Sequence, residues 1–331
     1  MDFQLSDDQR ALRSGMRDLL DAVFDRDRMR AAVERGGTLD RSLWRELGAA
    51  GFFALRLPEE AGGVGLGLPE AVLLFEEAGR ALLPGPLVAT HLAAGLVKGA
   101  AEGEAVVTAV DGDLPVAHLA EADAVLVGAD ALVGEPLRAF VAAARPVRSM
   151  DPLTPLHRVA GRTVPTQAYS GALHYEGALL TAAEQLGSAA RTTETAVQHA
   201  GAREQFGSPI GSFQAVKHLC ADMLARTEPA RAAVYAAAVT GDPVEIAAAK
   251  LLADEAAVRN ARDCLQIHGG MGFTWEADVH LHLKRAWLRS AAGLGGAAAE
   301  ELLAAGLGAA RPDPGSSAAP GRGAPEAGGG G

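Results

Sequence analysis

The segment Arg203-Glu204-Gln205-Phe206-Gly207-Ser208-Pro209-Ile210-Gly211-Ser212-Phe213-Gln214 sets a cation, two amides and an aromatic at the junction of two helical stretches. Arg203 offers a forked donor suited to a pyrophosphate, Phe206 a face for stacking or packing, and the Gly/Pro turn brings backbone close to a ligand. A corner of this kind fits a nucleotide cofactor. An ordinary helix–helix turn carries the same punctuation, and spacing alone leaves both readings open. Further on, Gln266-Ile267-His268-Gly269-Gly270-Met271-Gly272-Phe273 ends a helical pattern in a glycine cluster. Glycines there permit positive φ and close approach of a ligand, although a glycine-rich C-cap needs no cofactor and this one opens no helix after a parallel strand. Thr274 then reads as the cap of the next helix, with Glu276 and Asp278 in its first turn and Glu276 structural. His268, His280 and His282 raise the question of a metal. On a helix, positions 280 and 282 point about 200° apart, so they cannot chelate one ion together and read as structural or surface histidines.

Elements must hold these residues in place. Ser6-Asp7-Asp8-Gln9 is a capping box ahead of apolar residues spaced three or four apart from Leu12 to Val23, so a helix starts the chain. Helical patterns recur from Arg41 to Ala50 and from Leu68 to Leu82, with a Pro/Gly-punctuated loop from Leu57 to Gly65 between them. Short apolar runs broken by Asp, Gly and Pro fill about 105–166 and read as a small β-rich segment. Long helical stretches return over about 173–202, 212–240, 243–268 and 275–307, and their short connections predict an antiparallel four-helix bundle. The expected division is residues 1–100 helical, 101–171 a reduced β-rich middle, 172–310 the bundle, and 311–331 a Pro/Gly/Ala/Ser tail with almost nothing to bury.

A chain of 331 residues, 49% hydrophobic, can bury a large core. Its 30 basic against 41 acidic residues give a net charge of −11, and the basic residues form no stripe able to neutralise phosphates, which argues against nucleic-acid binding. Cys220 and Cys264 have no CxxC spacing, so the expectation is no disulfide framework, no metal site and a reducing cytoplasm. The acidic start MDFQLSDDQR is unlike a secretory signal, and no apolar run is long enough for a membrane span.

Taken together, FQLSDDQRALR, LWRELGAAGFFALRLPEEAGGVGL, REQFGSPIGSFQAVKHLCADM and CLQIHGGMGFTWE, in this order, resemble the acyl-CoA dehydrogenase family over nearly the whole chain. The resemblance implies a mainly α fold: an N-terminal helical domain, a middle β-domain (here reduced) and a C-terminal four-helix bundle, with FAD extended across a subunit contact. It implies that Arg203, Gln205 and Phe206 meet the pyrophosphate and adenine side of the cofactor. Gln266, Ile267, His268, Gly269 and Gly270 would receive the adenosine part of a neighbouring subunit's FAD, assisted by Gln214. Oligomerisation, an acyl-CoA substrate and an electron-transfer flavoprotein as acceptor follow from the same resemblance.

Two departures shape the functional expectation. The TEP-x-x-GSD-like loop and the W-I-T-like strand with which the family holds the flavin ring are missing between residues 90 and 170, so a partner would supply that half of the site. The position of the usual catalytic glutamate aligns with Gly293. Some members carry that glutamate at the start of the first bundle helix instead, and Glu176 falls within one residue of that place, with Glu184 further along. Glu176 is therefore the candidate base for α,β-desaturation, in which a carboxylate made more basic by burial removes the α-proton. The expected protein is an FAD-dependent acyl-CoA dehydrogenase subunit paired with itself or with a longer paralogue, similar to shortened members that act on bulky acyl-CoAs such as steroid side chains. The alternative is a catalytically silent subunit that completes a partner's FAD site. A third, diversion to flavin oxygenation, finds no sequence feature.

Overall fold

A computed structural model describes residues 4–128, 130–159 and 172–309. The end of the β-rich segment, residues 160–171, and the tail expected over 311–331 lie outside the described residues. The chain is mainly helical, as the sequence implies.

Helix α1 (Asp7–Val23) begins at Ser6, whose hydroxyl accepts the Gln9 N–H at 3.1 Å while the Gln9 side chain accepts the Ser6 N–H, the expected capping box. Helices α2 (Arg26–Glu34) and α3 (Arg41–Ala49) are capped by Asp25 and Asp40. Helix α4 (Leu68–Arg80) is buried along most of its length, and α5 (Leu87–Leu92) follows a Pro-Gly-Pro turn. The periodicity reading passed over α2 and α5, which are nine and six residues long, too short for an apolar repeat to declare itself.

The middle segment holds β1 (Val107–Ala109), β2 (Val116–Ala117), β3 (Ala124–Val127), β4 (Asp130–Leu132), α6 (Gly134–Ala142), β5 (Ala144–Val147) and β6 (Leu156–Val159). One three-stranded sheet runs β1-β3-β4, with β1 parallel to β3; a second, antiparallel, runs β2-β6-β5. Helix α6 is an addition to the expected β-rich texture, and its Leu137 packs with Val110, Val116, Leu119 and Val125 in a small core of its own.

The bundle is α7 (Ala172–Ala202), the hairpin β7 (Glu204–Gln205) and β8 (Ser208–Pro209), α8 (Gln214–Thr240), α9 (Pro243–His268), α10 (Val279–Ala291) and α11 (Gly296–Ala309). Gly241 in the left-handed conformation stops α8, and Asp242 with Pro243 at the first helical position starts α9 at once. Where one helix was expected over 275–307 there are two, broken at Ala292–Gly295, with Gly293 at φ +67°. The fourth helix also begins later than Thr274: Asp278 is its N-terminal flanking residue, Glu276 lies before the first turn, and Asp278 instead pairs with Arg26 and Arg30 of α2.

One apolar core runs without interruption from Met16 of α1 through Phe75 of α4 and Leu186 of α7 to Ala299 of α11. Helices α4 and α7 meet at glycines. A Cβ on Gly79 would sit 2.0 Å from the Glu184 carbonyl oxygen, and one on Gly187 would sit 1.8 Å from that of Glu76, so both backbones approach as only glycine allows.

Candidate functional site

The two chemistry-bearing motifs meet at one end of the bundle. His199, one turn before the end of α7, stacks on His268 at the end of α9 with ring centroids 4.0 Å apart and planes at 20°. This brings the β7–β8 hairpin beside the Gly269–Phe273 turn. His268 is fixed from below by its Nδ1, 2.8 Å from the Cys264 carbonyl oxygen, and Ile267 points into the core with Cys264 and Leu265. Burial lowers the His199 pKa, with the charges of His268 and Arg203 acting in the same direction.

The hairpin presents its side chains outward. Phe206 and Gly207 form its two-residue turn with φ +54° and +79°, the mirror-image turn that strand twist favours and that needs positive φ at both central residues. A bulky aromatic pays for that conformation, yet the Phe206 ring buries almost nothing: it is 93% exposed, with only an edge contact to Phe213. Arg203 and Gln205 are exposed; the Arg203 guanidinium has no hydrogen-bond or ion-pair partner among the described residues, and the Gln205 side chain bonds only the Glu204 carbonyl. Gln214, Gln266, Gly269 and Gly270 are exposed too, and a Cβ on either of the last two would meet no atom within 4 Å. Phe273 and Trp275 extend the apolar surface at 76% and 60% exposure. Forked cation, aromatic face, free amides and open glycine backbone are the donor and stacking set that an extended dinucleotide requires, so the chemistry of these residues fits FAD.

A cavity of about 200 Å³ lies between the start of α5, strand β1, α7 and α10. Helix α7 contributes Gly177, Thr181 and Glu184, spaced four and three residues apart and therefore on one face. Glu176 is not in that wall. It is half-buried and its carboxylate is 2.6 Å from Arg56 Nη1. Gly293, in the cavity's lining, donates its N–H to Asp111.

Glu184 is 4% exposed and bonded to Arg289. Burial pushes the Glu184 carboxyl above its ordinary range against the pull of Arg289 and Arg285. Burial also lowers the Arg289 pKa to about 10, which leaves the guanidinium charged at neutral pH. Four residues earlier on α10, Arg285 pairs with the fully buried Asp151. Burial alone would raise the Asp151 carboxyl, but Arg285, the Thr154 hydroxyl and the Leu153 N–H hold it below the ordinary value.

Sequence reasoning missed Asp151, Arg285 and Arg289. The available signal was the i, i+4 pair of arginines among the apolar residues of 279–291, a spacing that puts both cations on one helix face.

Family models match both ends of the chain: the acyl-CoA dehydrogenase N-terminal domain over residues 6–102 and the C-terminal domain over residues 168–299. The chain is 39% identical over 270 residues to acyl-CoA dehydrogenase IpdE2 of Mycobacterium tuberculosis, covering 78% of this chain and 84% of that protein. The chain belongs to the acyl-CoA dehydrogenase family. Its members are FAD-dependent oxidoreductases. This acyl-CoA dehydrogenase family chain is also 37% identical over 296 residues to IpdE2 of Mycolicibacterium smegmatis, covering 85% and 93% of the two sequences. Among solved structures it resembles a chain of the ChsE4-ChsE5 complex from Mycobacterium tuberculosis, with a TM-score of 0.80 and 25% identity over 95% of this chain and all of that one. No helix among the described residues is long and apolar enough to cross a membrane.

Proposed function

We propose that this acyl-CoA dehydrogenase family chain is an FAD-binding subunit of an oligomer that desaturates an acyl-CoA thioester between its α and β carbons. The observation that carries the reading is the strained, solvent-facing Phe206 beside the unpaired Arg203, brought against the open glycines of α9's end. A fold that stabilises itself has no use for that conformation. Bound FAD supplies the acceptor for the substrate's β-hydride. Arg203 would neutralise pyrophosphate charge, Phe206 would pack against the adenosine side, and Gln266 with the Gly269–Gly270 backbone would receive the same half of the cofactor. A second subunit closes this surface; the ChsE4-ChsE5 complex supports a paralogous partner. An electron-transfer flavoprotein suits the role of acceptor, and the free thiols of Cys220 and Cys264 suit a reducing cytoplasm.

In this reading Glu176 takes the α-proton, which requires its carboxylate to leave Arg56 and turn toward the wall where Gly177 now lies. That requirement favours a second reading, a silent subunit whose partner does the proton chemistry. Glu176→Gln in the co-expressed, flavin-loaded complex separates the two. A fall in kcat of at least about a hundredfold with flavin content unchanged supports Glu176 as the base; unchanged turnover assigns the chemistry to the partner and leaves this chain the cofactor-completing role.

A further inference from the structure

The geometry points to Arg145 and Arg158 as the cation pair that meets the phosphates of a CoA thioester whose acyl end enters the cavity between α5, β1, α7 and α10. This inference rests on the acyl-CoA reading and assigns the residues that hold the carrier.

The sheet β2-β6-β5 has two faces, and its register tells them apart. His157 and Val159 of β6 share a face with their cross-strand neighbours Val116 and Ala144, and Val116, Ala144 and Val159 pack into the small core around Leu137. The other face carries Leu156 and Arg158 of β6, Ala117 of β2, and Arg145 and Val147 of β5. One end of that face belongs to the cavity, because Leu156 and Ala117 line it. Arg158 follows Leu156 on the same face by two residues, roughly 7 Å along the strand, and Arg145 stands directly opposite Arg158. Both arginines are exposed. A ligand leaving the cavity along the sheet therefore meets two guanidinium groups side by side.

Nothing within the fold requires this pair. Like charges directly opposite on neighbouring strands destabilise a sheet, and neither arginine has a hydrogen-bond or ion-pair partner among the described residues. The surrounding sequence brings no relief. Residues 135–171 hold five arginines against two carboxylates, and both carboxylates are engaged, Glu135 by Arg138 and Asp151 by Arg285 of α10. The whole chain carries a net charge of −11, so an anion is repelled by most of the molecule and attracted here. Guanidinium forks match phosphate oxygens in charge and geometry, and CoA carries its phosphates at the far end of a flexible pantetheine arm, away from the acyl group. Continuity of the face with the cavity selects that ligand over an acidic protein segment, which would need no cavity beside it.

Calorimetric binding of octanoyl-CoA and octanoyl-pantetheine to the flavin-loaded complex tests this, since the two thioesters share an acyl group and differ in the phosphate-bearing nucleotide. In Arg145→Gln/Arg158→Gln, octanoyl-CoA should bind about tenfold more weakly at low salt, with octanoyl-pantetheine unaffected. The loss should shrink as salt is added. The thermal midpoint of this variant should hold or rise, because the opposed charges are gone. Arg138→Gln removes a cation already paired with Glu135 and should change neither affinity. Unchanged octanoyl-CoA affinity in the double variant, or equal weakening of both thioesters, would overturn the inference. Loss of flavin would assign the pair to the cofactor's pyrophosphate, and a fall in the mass of the complex would assign it to an acidic partner surface; either result overturns the inference as well. Failure of both thioesters to bind the unaltered complex would overturn the acyl-CoA reading itself, which is a separate result.

Discussion

Phe206 is the residue whose conformation is hardest to account for by folding alone. A left-handed backbone costs an ordinary side chain roughly 1–2 kcal/mol, and this one recovers almost nothing by packing, being 93% exposed. Phe206→Gly relieves that strain while loosening the unfolded chain by about 0.5–1 kcal/mol, so the thermal midpoint of the isolated chain is expected to hold or rise slightly. Flavin affinity of the assembled complex should fall roughly two- to tenfold, since stacking surface is lost. A clear drop in the midpoint would show that the ring supports the fold and not a ligand. Arg203, Gln205 and Phe206 were legible in the sequence because a cation, an amide and an aromatic crowd one Gly/Pro turn. Their union with Gln266–Gly270 was not, since nothing in either motif says that His199 will stack on His268. The cavity wall was less legible still. One residue of helical phase, about 100°, separates Glu176, which faces Arg56, from Gly177, which faces the cavity, and sequence spacing does not fix phase to that accuracy.

Among the elements, the contact of α4 with α7 sets the position of Glu184, because the Glu184 backbone is what Gly79 packs against. Gly187→Ala would drive a methyl into the Glu76 carbonyl and is expected to cost at least about 3 kcal/mol, the upper range for overpacking, because backbone rather than a pliable side chain must yield. Gly201→Ala on the same helix meets no atom within 4 Å and should be neutral or up to about 1 kcal/mol stabilising, from helix propensity alone. Denaturant midpoints of the two variants check the pair; equal effects would mean that α7 can slide away from α4. Long helices such as α7, α8 and α9 were readable from their repeats and from stop signals at Gly241 and Asp242-Pro243. The break at Ala292–Gly295 was hidden because Ala and Gly continue an apolar texture equally well, and Gly293, left-handed there, donates its N–H to Asp111, a long-range contact that spacing does not reveal.

At the scale of the whole molecule, the continuous core buries titratable groups that water would charge. Burial pushes His91 down to about 4, and burial reinforced by Arg191 and Arg285 pushes His282 down to about 3, while the His282 Nδ1 lies 2.8 Å from the Ser188 hydroxyl. Both are neutral in the folded protein at pH 7 and would titrate near 6.5 once unfolded. A histidine with a depressed folded pKa gives stability that is present above the unfolded value and is lost as pH falls toward the folded one. From about pH 6.5 down to about 4 the unfolded chain therefore binds a proton at each of these two that the folded chain refuses, together up to roughly 2.7 kcal/mol per pH unit, and His280, pushed down to about 4 by burial, adds to the slope in the same sense. Glu184, with its raised folded pKa, acts in the opposite sense above its unfolded value, so the net slope is smaller. The histidine contribution is isolated by difference. In His282→Asn, where the amide oxygen can replace Nδ1 at Ser188, the slope of unfolding free energy against pH should fall by about one proton, roughly 1.4 kcal/mol per unit, across that window. Urea titrations at several pH values measure both slopes. Identical slopes would mean that His282 takes up its proton without unfolding, and that the junction of α7 and α10 opens to water in the native state.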